Sequence, residues 1–286
     1  MKNNININNE TKFFAVIGDP ISHSLSPVFQ NYFINKRNIN AIYIPLHITT
    51  ESLGHSMDLL KNNFHGFNVT IPHKENIMEY LDEIDPLAME YGAVNTVKNL
   101  DGRFIGYNTD GIGFTKSIEK IDINIRDSNV LLLGAGGAGK VIASEIIKSH
   151  GNLTIANRSI DRANKLKSEL EKLYKSPVNI CPLNNIDGNF DIIINTTSVG
   201  MYPHMDKSPV NLNVIKNSKL VYDVIYNPFE TKLLQIGKEL GTKTINGLPM
   251  LVYQGLSSFE IWTGKKATYD EELEIYNMLK SKLMED

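Results

Sequence analysis

The sequence contains very little cysteine and no long apolar run. Cys181 is the only thiol among 286 residues, so the chain forms no internal disulfide or multi-thiolate metal site, and a reducing compartment is expected. No apolar stretch approaches the roughly 20 residues that span a bilayer, and the polar start MKNNININNE does not resemble a signal peptide. We therefore expect a soluble, cytoplasmic protein without a membrane partner.

A strong excess of charge is also absent. Lys and Arg number 29 against 32 Asp and Glu, a formal net charge of -3, whereas proteins that bind the nucleic-acid backbone normally carry basic patches. A small molecule is therefore a better candidate partner than nucleic acid. The seven histidines show no HExxH-type spacing, so no metal site is expected. His23, His65 and His73 lie beside turn residues and are interpreted as solvated or capping side chains.

The length and the order of apolar segments predict two α/β domains. Apolar segments alternate with amphipathic ones in the order FFAVIG, PVFQNYFINKRN, AIYIPLHI, ESLGHSMDLLKNN and GFNVT, which is a βαβαβ pattern. Residues 94–97 and 103–106 flank a turn signal at 99–102 and predict a hairpin with Asn95 at its open end.

The alternation then restarts in the order of a doubly wound nucleotide-binding fold. The segments are NVLLLG, a helix, NLTIANR, a charged helix to Lys175, DIIINTT and LVYDVIY. Beyond Gly247 the chain is predicted to be helical, and these helices are expected to return to the first domain, whose sheet should be mainly parallel. The predicted boundaries are 1–110 with 248–286 for the first domain and 111–247 for the Rossmann-like second domain.

The strongest single motif is the glycine-rich turn GAGGAG, which follows strand 129–133 and precedes a helix predicted over 140–148. Gly134 permits a tight turn, Gly136 lets backbone amides approach a pyrophosphate, and Gly139 allows the helix to pack closely. The helix N-terminus adds the positive end of its dipole. Because a strand at 153–156 completes a βαβ unit, the motif predicts dinucleotide binding rather than a purely structural turn. Its members are Gly134, Ala135, Gly136, Gly137, Ala138 and Gly139.

The residues after that next strand favour NADP over NAD. An NAD site normally has Asp or Glu there to bind the ribose 2′-hydroxyl, whereas this chain has Asn157, Arg158 and Ser159, with Arg162 one turn later. Two guanidinium groups and a hydroxyl suit a 2′-phosphate. Solvated helix-start charges are the alternative, but cations near a helix N-terminus oppose its dipole.

Two segments of the first half carry further candidates. Ser26 before Pro27 is typical of a helix N-cap, although a helix start with hydroxyls at Ser24 and Ser26 also suits a carboxylate. Pro72 can start a helix, which would place Lys74 in the first turn of HKENIMEYL. A cation there faces the positive end of the dipole, so proton transfer explains it better than stability, with an ordinary surface lysine as the alternative.

Eight ordered blocks from Ser22 to Gly255 resemble shikimate dehydrogenase and cover nearly the whole chain. They are SHSLSP, NVTIPHK, GAVNT, NTDGIGF, GAGGAG, NRS with a following Arg-Ala, NTTSVGM and NGLPMLVYQG. Ser159 stands where the family often has Thr, which preserves a hydroxyl. No added dehydratase domain is recognised.

The resemblance implies a two-domain enzyme that reduces 3-dehydroshikimate to shikimate with NADPH, on the pathway to chorismate and aromatic amino acids, with a cleft between the domains. It implies that Ser24 and Ser26 hold the substrate carboxylate, and that Lys74 is the catalytic group beside Asp110. Ring hydroxyls would be held by Thr70, Asn95, Asp110 and Gln254, with Tyr226, in LVYDVIY, near the substrate. Gly247 and Met250 would border the nicotinamide, and the cofactor side would be lined by Asn195, Thr196, Thr197 and Ser198.

Each of these residues has a structural alternative. Asn95 could cap the hairpin, Asp110 could be a turn carboxylate, Gln254 could be solvated, and Tyr226 could belong to the core. For the whole protein, a quinate/shikimate dehydrogenase or a ligand-sensing homologue without activity are the alternatives, and a monomer or a homodimer is expected.

Overall fold

In the computed structural model, which describes residues 7–285, the chain divides into two α/β units. The first comprises the chain up to Thr109 together with Gln254–Ile275, and the second comprises Asp110–Tyr253 together with the chain from Tyr276 onward. Helix α9 (Leu248–Thr263) and helix α10 (Tyr269–Glu285) each contribute residues to both units. The predicted boundaries assign all of residues 248–286 to the first domain, whereas this division falls after Tyr253 within α9 and after Ile275 within α10.

Local contacts explain that difference. A side chain at Gly247 would meet the Val224 carbonyl oxygen, so the start of α9 lies against the second unit, whereas Gly255 lies against the Phe29 ring of the first. In α10, the Lys280 ammonium lies 5.6 Å from the centroid of the Phe229 ring. Each helix thus changes partners along its length.

Within residues 7–285 the first unit holds a six-stranded sheet in the order β2-β1-β3-β5-β6-β4. Three of its five strand pairings are parallel, and the two made by β5 are antiparallel. The predicted mainly parallel sheet and the hairpin are therefore confirmed. The strands are β1 (Lys12–Gly18), β2 (Ala41–His47), β3 (Gly66–Val69), β4 (Glu83–Ile84), β5 (Thr96–Leu100) and β6 (Arg103–Tyr107), and the helices are α1 (Ser26–Lys36), α2 (Leu53–Asn63), a 3₁₀ helix (Asn76–Tyr80) and α3 (Pro86–Tyr91).

The second unit holds, in the described part of the chain, a six-stranded sheet in the order β12-β11-β10-β7-β8-β9, with every pairing parallel. Counted along this unit the order is 6-5-4-1-2-3, the doubly wound Rossmann order that the sequence predicts. The strands are β7 (Asn129–Leu133), β8 (Asn152–Asn157), β9 (Asn179–Pro182), β10 (Ile192–Asn195), β11 (Leu220–Asp223) and β12 (Lys243–Ile245), and the helices are α4 (Asp110–Glu119), α5 (Gly137–Lys148), α6 (Ile160–Tyr174), α7 (Leu212–Ile215) and α8 (Lys232–Glu239).

Apolar strands explain why this second sheet is covered on both faces. Along β7, Val130 and Leu132 belong to one hydrophobic cluster, while Leu131 and Leu133 belong to another. Successive strand residues point to opposite faces of a sheet, so a continuous apolar strand needs helices on both sides, as parallel sheets have. The sheet therefore aligns the carboxyl ends of β7, β8 and β10 at one edge.

Helix α9 closes the core of the first unit. Its Phe259 ring lies 4.6 Å from that of Phe33 in α1, and its Trp262 ring stacks 5.0 Å from Phe14 in β1. The Trp262 indole also donates a hydrogen bond to the Val97 carbonyl at 2.9 Å. This packing is the predicted return of the C-terminal helices to the first domain. None of the helices in residues 7–285 has both the length and the apolar character of a bilayer-spanning segment.

Candidate active site

The glycine-rich turn joins β7 to α5 and separates packing glycines from exposed ones. Gly134 has a φ of +108°, and an added Cβ at Gly139 would lie 2.7 Å from the Gly134 carbonyl oxygen. At Gly136 and Gly137, by contrast, an added Cβ would meet no described atom within 4 Å. The turn thus needs two of its glycines for folding and leaves open space over the other two.

Helix α5 begins inside this turn, at Gly137 rather than at the predicted Lys140. Its N-cap is Gly136, and no side chain caps the helix. The first backbone amides of a helix need acceptors, and together with the helix dipole they form an anion site. Open space above uncapped amides fits the pyrophosphate of a dinucleotide.

The segment after β8 forms the start of α6. Ser159 is the N-cap and its hydroxyl oxygen accepts from the Arg162 backbone amide at 3.4 Å, while the Asn157 side-chain amide donates to the Ser159 carbonyl at 2.8 Å. Ser159 and Asn157 therefore have structural roles. The Arg158 and Arg162 side chains are exposed, so packing does not account for them.

The loop after β10 is fixed by a buried amide. Asn195 is fully buried, and its side-chain Oδ1 accepts from the Thr197 backbone amide at 3.0 Å and from the Thr197 hydroxyl at 2.7 Å. The Thr196 hydroxyl donates to the Leu133 carbonyl at 2.8 Å, which ties the loop to β7 beside the glycine turn. Buried Asn195 thus holds this loop in place through its side-chain hydrogen bonds. Ser198 is the exposed residue of the loop.

A residue that sequence reasoning missed, Asp223, completes that support. It is fully buried at the end of β11 and accepts from the Asn195 amide at 3.0 Å, the Thr231 hydroxyl at 2.7 Å and the Ile225 backbone amide at 3.1 Å. Burial raises the pKa of Asp223 to about 6, against these three hydrogen bonds, which lower it. A lone Asp within the apolar run LVYDVIY was the signal that could have identified it.

Three further candidates lie in the second unit. The strand predicted over LVYDVIY ends at Asp223, so Tyr226 lies in the loop beyond it, where burial raises the pKa of its phenol. Gly247 has a packing reason, because an added Cβ would lie 1.9 Å from the Val224 carbonyl oxygen. Met250 is buried in the hydrophobic cluster that contains Tyr222.

In the first unit, the predicted N-cap role of Ser26 is wrong. Helix α1 begins at Ser26, its N-cap is Leu25, and no side chain caps the helix. Ser24 lies just outside and its hydroxyl oxygen accepts from the Ser26 backbone amide at 3.3 Å. The Ser26 side chain is buried, and the helix starts one residue earlier than the N-cap pattern predicts.

The helix predicted to place Lys74 in its first turn is also absent from the described structure. Residues 71–75 form turns, and a 3₁₀ helix begins only at Asn76. Lys74 therefore does not lie at the positive end of an α-helix dipole. The Lys74 carbonyl accepts from the Val94 amide at 2.8 Å, so the lysine backbone is fixed beside the residue that precedes Asn95.

His73 likewise differs from its interpretation as a solvated or capping residue. It is fully buried, and its Nε2 lies 2.6 Å from the Ile48 carbonyl oxygen. This bond joins the turn that carries Lys74 to the residue after β2. His73 thus has a structural role. Its burial was not predicted because its neighbours in the sequence, Pro72 and Lys74, are typical of an exposed turn.

Asn95 lies at the open end of the β5–β6 hairpin, as predicted, and is almost fully buried. Its side-chain Oδ1 accepts from the Thr109 backbone amide at 2.8 Å, and its Nδ2 lies 3.5 Å from the Gln254 Oε1 of α9. Thr70 follows β3, and Asp110, also buried, is the first residue of α4. The first unit thus brings Asn95 and Gln254 together. Its described residues show no cluster of three His, Cys, Asp or Glu side chains suited to a metal, and neither do those of the second unit.

A Rossmann unit whose glycine-rich turn leads into a helix without a side-chain cap, in a chain with a second α/β unit that holds buried amide and hydroxyl groups, is typical of a two-domain dinucleotide-dependent enzyme. Family models match three successive segments. They describe a shikimate dehydrogenase substrate binding domain over residues 16–97, a shikimate / quinate 5-dehydrogenase over 116–224, and a shikimate 5′-dehydrogenase C-terminal domain over 247–271.

Individual relatives agree. A shikimate dehydrogenase (NADP(+)) of Methanococcus maripaludis is 49% identical over 264 residues, which cover 91% of this chain and 95% of the relative. A crystal structure of a shikimate dehydrogenase in complex with NADP+ is 41% identical, with a TM-score of 0.89 over 94% of this chain and 96% of that one. A Thermus thermophilus structure with NADP(H) and shikimate is 30% identical, with a TM-score of 0.84 over 93% of this chain and 99% of that one. The chain belongs to the shikimate dehydrogenase family.

Proposed function

We propose that this protein catalyses the reversible, NADPH-dependent reduction of 3-dehydroshikimate to shikimate, a step towards chorismate and the aromatic amino acids. The observation that carries the proposal is the family match over both units, with 49% identity to a relative named as an NADP(+) enzyme. The structure supports it with a phosphate site in one unit and a set of hydroxyl and amide groups in the other.

The cofactor is assigned to the second unit. The amides at Gly136 and Gly137 suit its pyrophosphate, because the space above them is open. The exposed Arg158 and Arg162, with the Ser159 hydroxyl, suit a 2′-phosphate, since guanidinium groups form strong charge-assisted bonds to phosphate oxygens. When bound, NADPH supplies the hydride that reduces the substrate ketone. Gly247 and Met250 are proposed to border the nicotinamide, and the loop 195–198 to line the cofactor side.

The substrate is assigned to residues that lie mainly in the first unit. Ser24 and Ser26 at the start of α1 are proposed to hold its carboxylate. Ring hydroxyls are assigned to Thr70, Asn95 and Gln254, whose hydroxyl and amide groups can both donate and accept hydrogen bonds, and to the Asp110 carboxylate of the second unit, which accepts them. Tyr226, also of the second unit, is proposed to lie near the substrate.

Proton transfer is assigned to Lys74, with Asp110 as the second catalytic residue. Reduction of a ketone places negative charge on its oxygen, and an ammonium within hydrogen-bond reach stabilises that charge and then donates the proton. In the reverse direction the neutral amine accepts the hydroxyl proton. The Lys74 carbonyl accepts from the Val94 amide, which fixes the point from which the side chain that carries the proton extends.

A steady-state comparison tests the proposal. Purified protein is assayed with shikimate and with quinate, each with NADP+ and with NAD+. We expect kcat/KM to be highest for shikimate with NADP+, by at least about tenfold over NAD+, since a bond to a charged group is worth about 1.5–3 kcal/mol. Absence of turnover in every combination would refute the enzymatic proposal and favour a ligand-sensing homologue.

The second candidate is a dehydrogenase that uses both shikimate and quinate. It is favoured by the description of the model matched over 116–224, which names both substrates. Equal kcat/KM for the two substrates would establish it. A cytoplasmic location is proposed because a lone thiol suits a reducing compartment. Light scattering would distinguish a monomer from a homodimer.

A further inference from the structure

Four side chains of the first unit, each at most 2% exposed, form a closed ring of hydrogen bonds. They belong to Asn95 and Thr96 at the start of β5, Thr109 before α4, and Ser258 of α9, and we term them the hydroxyl ring. Asn95 Nδ2 donates to Thr109 Oγ1 at 2.9 Å, and Thr96 Oγ1 donates to Asn95 Oδ1 at 2.9 Å. Ser258 Oγ closes the ring, 2.8 Å from Thr96 Oγ1 and 3.3 Å from Thr109 Oγ1.

The hydrogen bonds of the hydroxyl ring run in one direction. The Thr109 backbone amide, which can only donate, lies 2.8 Å from Asn95 Oδ1 and so fixes which end of the Asn95 amide is the oxygen. Thr96 directs its one proton at that oxygen, so Thr96 accepts in its bond with Ser258. Because Asn95 Oδ1 then has both lone pairs occupied, the Thr109 hydroxyl, although 3.2 Å away, is left to donate to Ser258.

The neighbours of Ser258 agree with this direction. Asn68 Nδ2 donates to Ser258 Oγ at 3.0 Å and to Thr96 Oγ1 at 3.1 Å, and so occupies an acceptor position on each hydroxyl. The Gln254 carbonyl is a competing acceptor 3.0 Å from Ser258 Oγ. It lies one turn earlier in α9, however, where the helical pattern already gives it the Ser258 backbone amide. The Ser258 proton is therefore available to Thr96, its nearest acceptor.

We infer that Ser258 is a positioning residue that, through the hydroxyl ring, holds the Asn95 side-chain amide with Nδ2 directed towards Gln254. The inference rests on the proposed function, in which Asn95 and Gln254 hold hydroxyls of the substrate. The hydroxyl ring uses one of the two Nδ2 protons, and the other lies on the side of Gln254, whose Oε1 is 3.5 Å from Nδ2. A buried network in which every hydroxyl both donates and accepts favours one arrangement of its side chains. Asn95 thus offers the substrate a donor rather than an acceptor.

The Ser258→Ala variant opens the hydroxyl ring. The Thr109 proton then turns to Asn95 Oδ1, where it competes with Thr96. We expect the KM for shikimate to rise roughly fivefold, the factor that corresponds to one net hydrogen bond, with an unchanged KM for NADP+ and a kcat that falls less than the KM rises. Ser257→Ala is the matched control. It makes the same change one position earlier in α9, at a half-buried side chain outside the hydroxyl ring, and should leave the KM for shikimate unchanged.

A double-mutant cycle separates positioning from general damage. If Ser258 acts through Asn95, Ser258→Ala should raise the KM for shikimate much less in an Asn95→Ala background than in the wild type. An unchanged KM, or the same rise in both backgrounds, would overturn the inference. If Ser258→Ala does not fold, Thr96→Val takes its place in the cycle, because it removes the hydroxyl that joins Ser258 to Asn95, and the same two outcomes decide. Wild-type protein without shikimate turnover would instead overturn the proposed function and the inference with it.

Discussion

The glycine-rich turn allows a test in which one methyl group is placed at two sites with opposite expected effects. In Gly136→Ala the new Cβ enters open space, and the backbone φ of -93° is compatible with alanine. We expect the free energy of unfolding to change by no more than about 1 kcal/mol, the usual scale for an N-cap substitution. The affinity for NADPH should fall at least about tenfold, because the methyl group occupies space assigned to the pyrophosphate.

In Gly139→Ala the same methyl group lies 2.7 Å from the Gly134 carbonyl oxygen and 3.0 Å from Thr196 Oγ1. Overpacking of this kind costs about 1–3 kcal/mol, so this variant should lose stability. Urea unfolding and titration of NADPH by fluorescence measure both quantities for each variant. If Gly136→Ala binds NADPH as the wild type does, or if it loses as much stability as Gly139→Ala, the open space above Gly136 is not the phosphate site.

Three further substitutions test other parts of the proposal. Lys74→Met should lower kcat by a factor of about 10² to 10⁴ while shikimate binding persists. The melting temperature should change little, because the Lys74 backbone bond to Val94 does not involve the side chain. A near-normal kcat would exclude Lys74 as the proton donor. Arg158→Asp should weaken NADP+ far more than NAD+ in steady-state kinetics, since a carboxylate repels the 2′-phosphate, and equal losses would make Arg158 structural. Burial raises the pKa of Asp223 in the folded protein to about 6, so its ionisation opposes folding as the pH rises. In urea unfolding, the free energy of unfolding of the wild type relative to Asp223→Asn should therefore fall by about 1 kcal/mol between pH 5 and pH 7.5. A difference that stays constant with pH would contradict the burial of a charged Asp223.

Features that depend on local chain pattern were predictable. The Rossmann order follows from apolar strands that alternate with helices, and the position of Asn95 follows from the hairpin, whose turn signal fixes the register. The glycine turn was predictable for the same reason, since Gly134 and Gly139 answer local steric demands.

Features that depend on contacts between distant segments were not. Ser26 looks like an N-cap, yet it is the first residue of α1 and its side chain is buried. Asp223 lies in an apolar strand, and its partners Asn195 and Thr231 come from other elements. His73 is buried by the chain around Ile48. Sequence spacing carries no information on these pairings, which tertiary packing sets.

The most direct test of the central proposal is a product measurement with purified protein, 3-dehydroshikimate and NADPH. NADPH absorbance and NMR of the ring protons follow the two reactants together. We expect shikimate to appear in equal amount to the NADPH that is oxidised, and the Lys74→Met variant to slow both changes to the same extent. No oxidation of NADPH, oxidation without shikimate, or an unaffected Lys74→Met variant would contradict it.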